Sequence, residues 1–268
     1  MLDPADWEAF RAASHRALDD AIDFLRDVRK RPAWQEMPEE AKERLSQPIP
    51  RDPSSFEEVY RTFAASILPY TGGNIHPRFF GWVQGTGTPS GAIAEMLAAT
   101  MNANVGGRNH GAVFVERQVL AWSRDLFGFP ATSSGVLTVG ASEANLIGVL
   151  VARTRALGAR VRESGIDPAR GRIVGYASAA THGCVRRAFE IAGLGSDALR
   201  IVPTNSLQCL DPVRLQELIT ADRAAGYLPF LIVANAGTVD VGAIDPLDEL
   251  ATLAAKEGCW LHVDGAFG

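Results

Sequence analysis

The chain reads as an α/β protein built on a parallel or mostly parallel sheet, and three observations point that way. Beyond Gly135, short apolar runs alternate with amphipathic stretches long enough for crossover helices. Glycine, proline and capping residues punctuate the alternation at the right places. Hydroxyl, imidazole and carboxylate groups then cluster just past the apolar runs, where open sheets of this kind hold ligands.

Asp3-Pro4 is a helix-start signal, and Trp7, Phe10, Ser14, Leu18, Ala21, Leu25 and Val28 follow it as a stripe at helical spacing. Five prolines, from Pro32 to Pro53, break residues 31–54 into an extended arm with room for one short helix after Pro38. Ser55 and Glu58 form a capping box for the next helix, whose apolar side is Phe56, Val59, Tyr60, Phe63 and Ile67. Two helices joined by an arm cannot bury such stripes alone, so they are expected to pack on a partner subunit or on the main domain.

From Thr71 the texture changes. A glycine-rich loop leads to the apolar run Phe79 to Val83, and a second loop opens a helix at Pro89. Gly85, Gly87 and Gly91 miss the GxGxxG spacing, so a dinucleotide site is rejected in favour of a substrate-facing loop. Residues 112–127 read as a helix stopped by Gly128 and Pro130. Strands are expected at Val136–Val139, Arg172–Ala177, Leu199–Val202, Phe230–Ala234 and Cys259–Val263. Helices are expected at Ala141–Leu157 and His182–Ala192, and starting at Asp211-Pro212 and Asp245-Pro246.

Composition narrows the function classes. A net charge of −5 offers no basic field for nucleic acid. No apolar run approaches the roughly 18 residues of a membrane span, and the N-terminus lacks the basic start of a signal peptide, so a cytoplasmic location is expected. Cys184, Cys209 and Cys259 are too few and too scattered for a disulfide framework, and no histidine pair has metal-ligand spacing; free thiols and no metal are expected.

Four turns carry candidate chemistry. Gly140-Ala141-Ser142-Glu143-Ala144-Asn145 lies at a helix start, where free N–H groups, the helix dipole and the Ser142 hydroxyl suit a phosphate; the alternative is that Ser142 simply caps the helix. It lacks the GK[ST] of a nucleoside triphosphate loop. Thr181 can cap the following helix, leaving His182 in its first turn to stack on a flat ring or move a proton, or else to serve structure alone. Thr238 offers a hydroxyl within the turn Asn235 to Thr238. Asp264 ends the last apolar run, and a carboxylate there wants a cation, which a protonated pyridine nitrogen or an arginine could supply.

The conjunction of phosphate cradle, stacking imidazole, hydroxyl and pyridinium partner fits pyridoxal phosphate better than any one of them does. With His76-Pro77-Arg78-Phe79-Phe80, Gly140 to Ala144, Thr181-His182, Gly237-Thr238 and His262-Val263-Asp264-Gly265-Ala266-Phe267-Gly268, the chain resembles the pyridoxal-phosphate-dependent amino-acid decarboxylases of the aromatic, histidine and glutamate group. The resemblance implies an aspartate-aminotransferase-like large domain of fold type I, mostly parallel, within a homodimer. Residues 1–75 would be an N-terminal helical arm and dimerisation segment, and residues 76–268 an incomplete cofactor-binding large domain. It implies that Ala141 and Ser142 bind the cofactor phosphate, His182 stacks on the ring, Asp264 pairs with its nitrogen, Ala266 packs beneath it and Thr238 contributes to the pocket. Phe80, Trp82, Gln84 and Gly85 become substrate-side candidates; Phe80, Trp82 and Val83 favour an aromatic amino acid, although an aromatic run is more often core.

The chain departs from the family pattern at Val239, where a second threonine is common, and at Gly265, where alanine is more usual. The family's Schiff-base lysine follows the Asp264 motif by some tens of residues, past Gly268. Lys256 sits on the helix before the last strand, at the wrong end of the sheet. The expectation is the first part of a decarboxylase, inactive by itself, whose full-length parent forms an amine. The alternatives are decarboxylation with oxidative deamination to an aldehyde, and a non-catalytic remnant that only dimerises or binds a partner.

Overall fold

The computed structural model describes residues 3–106, 109–167 and 172–268, which divide into two compact units, Met1–Ala112 and Val113–Gly268. In the first unit α1 (Trp7–Arg26) starts three residues later than Asp3-Pro4 suggests. Asp6 is the residue with extended backbone there, and its carboxylate accepts the N–H groups of Glu8 and Ala9 at 2.9 and 3.0 Å. The short helix after Pro38 is α2 (Glu39–Leu45), and α3 (Phe56–Ser66) carries the Ser55–Glu58 capping box as expected. α1 and α3 pack partly on each other through the edge-on Phe10–Phe56 pair at 5.2 Å and the Tyr60 hydroxyl donating to Asp20 at 2.5 Å. Trp7, Val59 and Phe63 remain exposed. α4 (Pro89–Met101) begins at Pro89 with Thr88 as its cap.

The second unit opens with α5 (Gly111–Leu126). It ends where Gly128 takes a left-handed conformation and the Phe129 N–H reaches back to the Arg124 carbonyl at 3.0 Å, the stop that Gly128 and Pro130 signal. Next come α6 (Ala141–Leu157), the one-turn α7 (Val161–Ser164), β1 (Ile173–Ser178), α8 (Cys184–Ile191), β2 (Leu199–Val202), α9 (Pro212–Ala224), β3 (Leu228–Asn235), α10 (Leu247–Glu257) and β4 (Trp260–Asp264). The strands form one all-parallel sheet in the order β2-β1-β3-β4, with Gly175 opposite Leu199 and Leu231, and Asn235 opposite Asp264. Alternation along the strands feeds two cores. Ile173, Ala177, Leu231 and Val233 meet Val149, Val185 and Phe189 of α6 and α8; Val174, Tyr176 and Ile232 meet Leu215, Ile219 and Leu250 of α9 and α10. Each fully buried large side chain among them contributes about 1.5–3 kcal/mol.

Three local expectations fail, each for a physical reason. Val136–Val139 forms no strand, because no neighbouring strand among the described residues takes its backbone groups. Val139 is 99% exposed and donates its N–H to Glu143 Oε2 at 3.0 Å. Thr181 does not cap α8; its hydroxyl lies 3.2 Å from that of Ser178 and accepts the Asn235 amide at 3.0 Å, so α8 starts at Cys184 and His182 precedes the helix. Asp245 does not cap α10 either. Its buried carboxylate accepts the N–H groups of Leu210 and Asn235 at 2.7 Å each and the Asn235 amide at 2.9 Å.

Candidate active site

The carboxyl ends of β1, β3 and β4 and the N-terminus of α6 converge in the second unit. At the start of α6, Glu143 and Ala144 donate to the Gly140 carbonyl, while no acceptor among the described residues takes the N–H of Ala141 or Ser142. Two free donors at the positive end of a 17-residue helix, with the Ser142 hydroxyl beside them, are the chemistry a phosphate requires. The N-cap is Gly140, and the Ser142 hydroxyl has no hydrogen-bond partner among the described residues.

Asp264 stands half-buried at the end of β4. Its Oδ1 accepts the Ala266 N–H at 3.1 Å, its Oδ2 accepts the Asn145 amide at 2.9 Å, and its carbonyl takes the Ala236 N–H at 2.9 Å. No arginine or lysine among the described residues pairs with it, and the carboxylate keeps lone pairs able to accept further hydrogen bonds. His182 is exposed after β1, with Nδ1 accepting the Cys184 N–H at 3.2 Å, which leaves the proton on Nε2. The Asn145 amide nitrogen also lies 3.3 Å from Cys184 Sγ. Ser142 is three residues, about 4.5 Å along the axis, from Asn145, so the buried amide links the start of α6 to the Asp264 carboxylate, while His182 is tied to Cys184, whose sulfur lies beside that amide.

Thr238 lies in the turn that follows β3. It is 1% exposed, and Oγ1 accepts the Ala243 N–H at 3.1 Å inside its own turn. Ala266 is exposed beside Asp264. Phe80, Trp82, Gln84 and Gly85 belong to the first unit, where Phe80 and Trp82 are 94% and 85% exposed, so the core alternative for them is overturned. Trp82 adopts φ +31°, and the Gly85 carbonyl is held by the Asn74 amide at 2.7 Å. All three cysteines are free; Cys184 and Cys259 are buried, and burial pushes the Cys259 thiol up to about 11.

Two site residues escaped the sequence reading, Asn145 and His262. The Nε2 of His262 lies 2.6 Å from Asn145 Oδ1, and burial lowers the imidazole below its ordinary range, with Asp264 opposing the shift. The available signal was a polar side chain on the face of α6 that also carries Gly148, Val149 and Ala152.

The carboxyl ends of this parallel sheet thus bring together helix-start N–H donors without an acceptor among the described residues, an exposed imidazole and a half-buried carboxylate. Residues 38–268 match the pyridoxal-dependent decarboxylase conserved domain, and the chain belongs to that family. It is 31% identical over 99% of its length to tryptophan decarboxylase 2 of Oryza sativa subsp. japonica, covering 55% of that protein. It is 30% identical over its whole length to phenylacetaldehyde synthase of Arabidopsis thaliana, covering 56%. It superposes on the crystal structure of the Oryza sativa enzyme TDC with PLP and tryptamine at a TM-score of 0.85 and 28% identity, over 98% of this chain and 56% of that one. The fold is that of the fold type I pyridoxal phosphate decarboxylases, and pyridoxal phosphate is the cofactor that goes with it. The chain spans about half the length of the curated relatives it matches.

Proposed function

We propose that this chain supplies cofactor-binding machinery for the pyridoxal-phosphate-dependent decarboxylation of an aromatic L-amino acid to its amine. The observation that carries the reading is the Asp264 carboxylate, free of any cationic side chain among the described residues and tied through Asn145 to the helix that presents the Ala141 and Ser142 N–H groups. Ala141 and Ser142 bind the phosphate at the α6 dipole, His182 stacks on the ring, Asp264 holds a proton on the ring nitrogen, Ala266 lines the face below, and Thr238 stiffens the neighbouring turn. When bound, pyridoxal phosphate supplies an electron sink to the carbon that loses its carboxylate. The aromatic preference is assigned to Phe80, Trp82, Gln84 and Gly85 through the family resemblance alone. The apolar faces that α1 and α3 leave exposed suit a homodimer contact made by residues 1–75.

No lysine of this chain suits the Schiff-base role in this reading. Lys256 lies near the C-terminal end of α10, at the amino end of β4, with Nζ donating to Gln216 at 3.0 Å. Adding pyridoxal phosphate and then borohydride is expected to leave Lys256 unlabelled; a specific pyridoxyl adduct there, with turnover, overturns that assignment.

The likeness to a phenylacetaldehyde synthase favours a second outcome, decarboxylation with oxidative deamination. Assaying the full protein with L-tryptophan, L-tyrosine and L-phenylalanine for carbon dioxide, amine, aldehyde and hydrogen peroxide separates the two. Amine without peroxide supports the first reading, and aldehyde with peroxide supports the second. A protein that binds no cofactor rejects both.

A further inference from the structure

Asn145 is 2% exposed and uses both ends of its amide. The nitrogen faces Asp264 Oδ2 at 2.9 Å and the oxygen faces His262 Nε2 at 2.6 Å. An ionised carboxylate can only accept, so the amide nitrogen must be the end that meets Asp264. The oxygen that remains can likewise only accept, so His262 must carry a proton on Nε2, and in the neutral ring, which burial favours, Nδ1 is then bare. The bare Nδ1 is the atom packed against Gly148 of α6, where a Cβ would stand only 2.5 Å away. The Asp264 carboxylate therefore dictates the orientation of the amide and, through it, the tautomer of a partly buried histidine. Both partners lie on β4, while Asn145 and Gly148 lie on the helix whose first turn carries Ser142.

We propose that Asn145 is a positioning residue that locks the Asp264 carboxylate in place and clamps the Ser142-bearing helix to β4 through the Nε2–H tautomer of His262. The proposal rests on the pyridoxal phosphate reading of the crevice for its functional consequence, and on hydrogen bonding alone for the clamp. Because Asn145 sits on the helix that carries Ser142 and bonds the Asp264 carboxylate, its loss weakens cofactor binding without removing any group that touches the cofactor.

Two near-isosteric variants test it. Asn145→Leu removes both bonds. Asn145→Asp keeps an acceptor toward His262 and sets a second carboxylate against Asp264, where the two cannot both ionise. The ring nitrogens of His262 are read by 15N NMR in the cofactor-free full protein, and pyridoxal phosphate affinity is read by absorbance. Wild type is expected to show the Nε2–H form, retained in Asn145→Asp and replaced by a mixture in Asn145→Leu. Cofactor affinity is expected to fall by about tenfold or more in both variants, the equivalent of one charge-assisted hydrogen bond. An Nδ1–H tautomer in wild type, or wild-type affinity in both variants, overturns the proposal. A wild-type protein that binds no cofactor, yet shows the Nε2–H form lost in Asn145→Leu, overturns the cofactor reading and leaves the clamp standing. If Asn145→Leu does not fold, Asn145→Asp decides through affinity, with its fold checked by circular dichroism; wild-type affinity in that folded variant then overturns the proposal.

Discussion

Replacing Gly148 by alanine is expected to destabilise the protein, although alanine is the better helix former by about 1 kcal/mol. The added Cβ would lie 2.5 Å from Nδ1 and 2.6 Å from Cε1 of His262, where carbon contacts normally sit at about 3.5–4.0 Å. The ring cannot swing clear without giving up its bond to Asn145. Overpacking of this kind costs about 1–3 kcal/mol, and the strained or lost hydrogen bond adds about 1 kcal/mol. Set against the helix gain, the net loss is about 1–3 kcal/mol, and the midpoint of that range corresponds to a fall in Tm of about 4–8 °C for a domain of this size. The decisive assay is a double-mutant cycle by urea denaturation. In a His262→Ala background the space opens, so Gly148→Ala is expected to become neutral or stabilising. Equal cost in both backgrounds, or a gain in wild type, would refute the contact with His262 as the cause.

Three further outcomes follow from the same geometry. Burial holds the His262 imidazole below its unfolded value of about 6.5, so below that pH the unfolded chain takes a proton that the folded ring refuses; stability is expected to fall as pH drops from 7 to 5, and His262→Gln to flatten that slope in urea midpoints. Asp245→Ala strands the buried N–H groups of Leu210 and Asn235 and is expected to cost about 3–5 kcal/mol, where Asp245→Asn, which keeps an acceptor, costs less; equal losses by calorimetry would count against the hydrogen-bond account. Asp211→Ala removes the cap that accepts from Val213 and Arg214 and is expected to cost about 1 kcal/mol, with Asp211→Ser recovering most of it in thermal melts.

The elements most legible beforehand are those set by near neighbours. The span Ala141–Leu157 is readable because Gly140 and Gly158 bracket it directly, and Asp211 and Ser55 act within three residues of their own positions. β1, β3 and β4 are displaced by only one or two residues from their apolar runs, which burial on both faces demands of β1 and β3, while the edge strand β4 is partly covered. Val136–Val139 misled for the complementary reason: an apolar run is necessary for a strand, and a neighbour to pair with is a separate condition. Asp245 and Thr181 misled because a capping residue beside a helix start can be claimed by a distant partner that is buried and otherwise unsatisfied.

The candidate site divides in the same way. Sequence alone determined that Ser142 opens a helix, that His182 and Asp264 follow strands, and that their chemical types suit a phosphate, a flat ring and a basic nitrogen, because each of these depends on short-range order. Only the tertiary structure decided that β1, β3 and β4 lie side by side, and that Asn145 meets Asp264 and His262 across 119 and 117 residues of chain. A buried amide must find a donor and an acceptor at once, and packing α6 onto the end of β4 brings both within its reach.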